Sequence, residues 1–160
     1  MMQMTIIAVG KLKEKYIKDG ITEYTKRLTG IAKVNIVEIN DEGTSSLPSL
    51  ANIAQIKKRE GERILGVFPA NCYSIALDIL GAEITSEQFA EKISSVTLAG
   101  QSHIVFIIGG SWGLSEDILN KVDFRLSFGR MTFPHQLMRL VLIEQIYRAF
   151  KIIRNEPYHK

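Results

Sequence analysis

The sequence predicts one α/β domain with a mainly parallel sheet flanked by helices. Three observations carry this. Short apolar runs alternate along the chain with amphipathic segments of helical period. The stretch His103–Ile108 is an unbroken apolar run after its first residue, as in a strand covered on both faces. Neither an internal repeat nor a low-complexity linker marks off a second unit within the 160 residues, so residues 1–160 are read as a single domain. A chain of this size buries roughly two-thirds of its unfolded surface.

Thr5–Val9 reads as a buried first strand rather than a secretory leader, because it lacks a basic lead-in and a small-residue cleavage site. Lys13–Leu28 reads as a helix, with Tyr16, Ile17, Ile21, Tyr24 and Leu28 at helical spacing. Val34–Ile39 is a second strand, and Asp41–Ser49, rich in Gly, Ser and Pro, is expected to be a flexible loop. Leu50–Val67 is a long helix stopped by Pro69-Ala70-Asn71, and Tyr73–Leu80 a third strand. Thr85-Ser86-Glu87-Gln88 offers a capping box for the next helix. After the fourth strand, His103–Ile108, the triplet Ser115-Glu116-Asp117 starts a short helix, and Arg125–Phe128 is a short fifth strand. Pro134 stands where a helix's first turn tolerates proline, and the last helix runs to about Arg154.

That last helix is apolar most of the way round. Between Gln136 and Ile153 its polar positions are Gln136, Arg139, Glu144, Gln145, Arg148 and Lys151. A helix of this kind needs cover on more than one side, and a second copy of the chain is the simplest source, so a symmetric dimer is expected.

Composition sets further bounds. The longest apolar run falls short of the 18 or more residues that a membrane span needs. Cys72 is the single cysteine and no Cys/His cluster has metal-ligand spacing, which points to a cytoplasmic, metal-free protein. Net charge is only +3, yet Arg125–Lys160 holds seven basic residues against two acidic ones, 7 − 2 = +5. A basic C-terminal quarter on a near-neutral body suits an anionic partner such as RNA, or simply a solvated helix face.

Three places can carry chemistry. Gly109-Gly110-Ser111-Trp112-Gly113 follows the fourth strand, where open α/β sheets bind ligands against bare backbone, although a tight turn alone would look the same. It is neither G-x-G-x-x-G nor a Walker motif. Leu126–His135 joins a strand to the final helix with few polar side chains, which suits an adenine ring held by backbone groups. The terminal Asn155-Glu156-Pro157-Tyr158-His159-Lys160 combines a stacking aromatic, an imidazole and nearby cations.

These residues and others carry a resemblance. Ile7-Ala8-Val9-Gly10-Lys11-Leu12-Lys13, Glu60-Gly61, Ile108-Gly109-Gly110-Ser111-Trp112-Gly113-Leu114, Leu126-Ser127, Met131-Thr132-Phe133-Pro134-His135, Glu144-Gln145-Ile146-Tyr147-Arg148-Ala149 and Pro157-Tyr158-His159-Lys160 are similar, end to end, to the ribosomal large subunit methyltransferase H family of the SPOUT superfamily. The resemblance implies an α/β trefoil knot, its knotted cofactor-binding part covering roughly 70–160. It also implies S-adenosylmethionine as methyl donor, a homodimer, and N3 of a pseudouridine in 23S rRNA of the assembled 70S ribosome as target. Carried over residue by residue, Leu77, Gly109, Phe128, Gly129, Arg130, Met131, Thr132 and Phe133 would hold the cofactor.

An imide nitrogen is a poor nucleophile until its proton leaves, so a base or an anion-stabilising cation is required. His159 or Tyr158 is expected to handle that proton, Arg148 to orient the base or stabilise charge, and Arg139, Arg154 and Lys160 to hold phosphates. Two other classes compete: a non-catalytic ribosome-binding factor, and a flavodoxin-like phosphate enzyme with Asp78 at a strand end.

Overall fold

The computed structural model describes residues 1–43 and 47–160. Five strands, β1 (Met2–Val9), β2 (Ala32–Ile39), β3 (Tyr73–Glu83), β4 (His103–Ile108) and β5 (Phe124–Ser127), alternate with five helices. These are α1 (Lys15–Arg27), α2 (Leu50–Gly66), α3 (Ser86–Leu98), α4 (Glu116–Lys121) and α5 (His135–Ile153). The sheet order is β2-β1-β4-β3-β5, and every pairing is parallel.

The central strands show why their sequences are solidly apolar. In β1, Met4, Ile6 and Ala8 face α1, α3 and α5, while Ile7 and Val9 face α2 and α4; in β4, Ile104, Phe106 and Ile108 oppose Val105 and Ile107 in the same way. With both faces of the pleat covered, the period-2 alternation of a half-exposed strand disappears. The helix starts follow their capping side chains. Ser49 accepts from Asn52 N–H, Thr85 and Gln88 close a capping box, and Ser115 accepts from Ile118 N–H.

One expectation needs correction. β3 runs beyond Leu80 to Glu83, with its register to β5 shifting between Leu77 and Ala82. Gly81 hides this continuation in the sequence: a Cβ there would stand 2.7 Å from the Arg125 carbonyl, so glycine marks a close backbone approach rather than the strand's end. α5 finds part of the cover it needs within its own chain. Leu142, Ile143, Ile146, Ala149 and Phe150 are buried on the sheet, and α1 and α3 pack along its flanks. Part of the expected Asp41–Ser49 loop, residues 44–46, lies outside the described residues; 41–43 and 47–49 carry neither helix nor strand.

Candidate active site

The carboxyl ends of β3, β4 and β5 surround a cleft of about 630 Å³, within the range of small-molecule sites. Leu77 and the irregular stretch Asp78–Leu80 form one wall, Ile108–Leu114 a second, and the loop from Phe128 to His135 a third. Of the residues carried over for the cofactor, Leu77, Gly109, Phe128, Gly129, Met131, Thr132 and Phe133 line it. Arg130 belongs to the same loop but is exposed and is not part of the wall. The irregularity that re-aims β3 falls at this cleft, a common place for such features.

Local geometry explains the glycines. A Cβ on Gly109 would lie 2.8 Å from the Gly113 carbonyl carbon, so the turn closes only around a bare α-carbon. Gly113 N–H then donates to the Gly110 carbonyl at 3.1 Å. In the third wall, Gly129 takes a φ of 115°, a conformation that favours glycine. Buried Ser127 Oγ accepts from Gly129 N–H at 3.1 Å and donates to the Ile79 carbonyl at 3.0 Å, tying the third wall to the first. His135 closes the loop end; burial, reinforced by the Arg139 cation, pushes its imidazole below its ordinary range. Asp78, Glu116 and Lys57, which the motif did not name for this site, stand in the walls.

A second group of residues gathers where the C-terminal tail meets α1, α3 and α5. Arg148 is held by Glu144, with Nε donating to Oε1 at 2.9 Å, and its Nη1 lies 3.1 Å from His159 Nδ1. Because guanidinium only donates, His159 Nδ1 accepts, and Nε2–H donates to Glu87 Oε1 at 2.5 Å. Arg148 also lies 4.7 Å from the Tyr158 ring centroid, and that ring meets Tyr147 edge-on at 4.8 Å. Burial, with help from the Tyr24 hydroxyl and the Glu144 charge, pushes the Tyr158 hydroxyl up to about 12. Near neutral pH it is therefore a donor, not a base. Tyr158, His159 and Arg148 are thus brought together as expected, but none of them lines the cleft of their own chain.

Glu144 was readable in principle, since it stands four residues before Arg148 on one helix face. Glu87 gave no sequence signal for its bond to His159, because only the docked tail brings the two together across 72 positions.

The basic residues divide differently from the sequence expectation. Arg139 is the correction: its side chain is wholly enclosed, bonding Glu38 Oε2 at 2.6 Å and the Gly10 carbonyl at 2.5 Å, so it cannot meet a phosphate. Arg154 pairs with Glu156 at 2.9 Å, and Lys151 bonds the same carboxylate. Arg130 and Lys160 are exposed. The +5 balance of this quarter is thus partly spent inside the molecule.

Among the described residues, no helix is long and apolar enough to cross a membrane, and no group of three or more His, Cys, Asp or Glu side chains could hold a metal.

The family model described as "Predicted SPOUT methyltransferase" matches residues 2–159. The ribosomal RNA large subunit methyltransferase H of Carboxydothermus hydrogenoformans is 56% identical over 159 residues, covering 99% of this chain and all of the relative. The protein of the same name from Alkaliphilus oremlandii is 56% identical, and that from Exiguobacterium 54%, with the same coverage.

Proposed function

Because the chain belongs to the SPOUT methyltransferase family, we propose that it methylates N3 of a pseudouridine in 23S rRNA within the assembled 70S ribosome, using S-adenosylmethionine and working as a homodimer. The observation that carries this reading is the convergence of Leu77, Gly109 and the loop from Phe128 to Phe133 on one cleft. The relatives' names supply the rRNA target class. The knotted path of residues 70–160 and a cytoplasmic location belong to the same proposal.

The cleft suits this cofactor on the chemistry of its donors. Backbone groups at two glycine turns, among Leu77, Leu126, Phe128 and Met138, fit a planar base. Asp78 and Glu116 place carboxylates in the walls, favourable to a cationic ligand, and Lys57 offers a cation for a carboxylate. The bound sulfonium supplies an already activated methyl group. The protein's own task is then to align the attacking nitrogen and take its proton.

We assign that proton to His159. The Tyr158 hydroxyl, pushed up to about 12, keeps its own proton near neutral pH and acts instead as a ring support for Arg148. Arg148, fixed by Glu144, points at the imidazole and can stabilise the imide anion. Nε2 already carries the hydrogen it donates to Glu87, so Nδ1 is the nitrogen that can take the proton, and the target must displace Arg148 from it. Arg154 and Lys160 would hold phosphates.

The homodimer reading rests on two features. The rim of the cleft exposes Ile79, Leu80, Trp112, Met131 and Phe133, with Leu80 and Met131 at 89% and 79%, an apolar patch that a partner would cover. The tail cluster stands outside its own chain's cleft, so a two-fold pairing would let one protomer's tail serve its partner's cofactor.

The test is methyl transfer from labelled S-adenosylmethionine to unmodified 70S ribosomes, with naked 23S rRNA alongside. Label on 23S rRNA only in assembled ribosomes is the expected result. No label on either, with pseudouridine present, would overturn the catalytic reading and leave a ribosome-binding factor.

A further inference from the structure

Building on the reading that the cleft takes S-adenosylmethionine, we propose that Glu60 is a positioning residue for it: its carboxyl joins the backbone after β2 to the Gly109–Gly113 turn and sets where that wall stands.

Glu60 lies within α2 and is only 4% exposed. One oxygen, Oε2, accepts from Glu42 N–H at 2.9 Å. The other, Oε1, is sealed from solvent and has no hydrogen-bond partner among the described residues. It faces Gly110, where a Cβ would come within 3.1 Å of Oε1, 3.4 Å of Oε2 and 3.1 Å of Val9 Cγ1. The carboxyl therefore rests directly on the α-carbon of a cleft residue, and glycine at 110 is what allows it. The next residue repeats the arrangement, since a Cβ on Gly61 would sit 2.5 Å from Ser115 Oγ. α2 thus holds the cleft wall at both ends, at Gly110 and at the Ser115 cap of α4.

An apolar side chain of equal length would fill this space without leaving a polar atom unsatisfied, a cost of about 1–3 kcal/mol. Neighbouring cations direct their hydrogen bonds elsewhere. Arg63 is spent on the Asn40 carbonyl and Glu42, and Arg59 on Glu42. Burial pushes the Glu60 carboxyl up, so it holds a proton more readily than an exposed glutamate. The carboxyl faces Gly110 of the turn, and Lys57, one turn earlier on the same helix, lines the cleft beside that turn. A buried carboxyl anchored through Oε2 to the backbone after β2 fixes how closely Gly110, and with it the turn, can stand to α2.

The test compares Glu60→Met, which keeps length and removes hydrogen bonding, with Glu60→Gln, which keeps both. Titration calorimetry with S-adenosylmethionine, amide hydrogen exchange over 109–114 in the ligand-free protein, and methyl transfer at saturating cofactor are the readouts. Glu60→Met is expected to fold, to weaken cofactor binding about tenfold (~1.4 kcal/mol), to speed exchange in the turn, and to leave kcat within about threefold. Glu60→Gln is expected to stay within about threefold of the parent on every readout. Parent-like binding and exchange in Glu60→Met would overturn the assignment, as would a Glu60→Gln protein no better than Glu60→Met. If the parent itself bound no S-adenosylmethionine, the functional reading would fall, and the exchange data would still decide whether Glu60 sets the turn.

Discussion

Arg139 and Glu38, 101 positions apart, meet at 2.6 Å, with the guanidinium wholly enclosed and the carboxylate still partly open to solvent. The second guanidinium nitrogen reaches the Gly10 carbonyl at 2.5 Å, so one side chain of α5 ties together the ends of β1 and β2. Burial opposes ionisation of Glu38, but the bonds from Arg139 and the Leu12 N–H outweigh it and hold the carboxyl below its usual range. Removing the carboxylate strands a buried cation. Glu38→Ala is expected to cost about 2–3 kcal/mol, less than for a fully buried pair because the carboxylate is partly open to solvent, and far more than breaking the exposed Lys15–Asp19 pair. Urea unfolding of the two variants checks the contrast, and equal costs would contradict this account of Arg139.

The tail predicts an asymmetry between adjacent residues. His159→Ala removes the group assigned to the proton and is expected to lower kcat by about 10²–10⁴, leaving cofactor affinity unchanged. Tyr158→Phe keeps the ring beneath Arg148 and against Tyr147, losing only a hydroxyl bonded to Tyr24 at a long 3.4 Å. Its kcat is expected to fall less than about tenfold. Single-turnover methylation of 70S ribosomes separates the two, and a larger loss for Tyr158→Phe would move the proton to the phenol.

Much of the fold was legible because its signals are local. Runs such as Ile104–Ile108 record burial on both faces, and Thr85 and Gln88 write a helix start into four residues. The cleft was legible in part, through glycines whose φ angles and close approaches leave a mark in the sequence. What stayed hidden depends on distant pairing. Arg139 reads as one more cation on a basic helix until Glu38 and Gly10 arrive beside it. Glu60 reads as part of the charged middle of α2, although burial makes it the exception there. Gly81 stood for a strand end when it marked a close crossing of two backbones.

Gly109 gives a steric prediction. In Gly109→Ala the new methyl would meet the Gly113 carbonyl at 2.8–3.0 Å and Leu114 at 3.1 Å, so the turn must open. A backbone carbonyl cannot step aside as a flexible side chain can, and overpacking of this kind costs about 1–3 kcal/mol. The same displacement moves the second wall of the cleft, so S-adenosylmethionine affinity is expected to drop at least tenfold (~1.4 kcal/mol). Calorimetry checks the affinity and thermal unfolding the stability. A variant with parent-like affinity would show that the ligand does not use this wall.

His135 gives the pH dependence. Burial, and then the Arg139 charge, press its folded-state value below the ordinary 6.5. As pH falls, the unfolded chain therefore takes up this proton before the folded one does. The stability associated with neutral His135 is fully present above about 6.5 and is lost as pH drops from there through the lower folded value. His135→Gln removes this contribution while filling similar space. The stability difference between parent and variant is expected to move against the parent on going from about pH 8 to about pH 5.5. His103, whose burial shifts it in the same direction, is present in both proteins and cancels from the difference. Urea unfolding of both proteins across that range decides it; a difference that stays flat with pH would mean that His135 is reached by solvent and protonates freely in the folded protein.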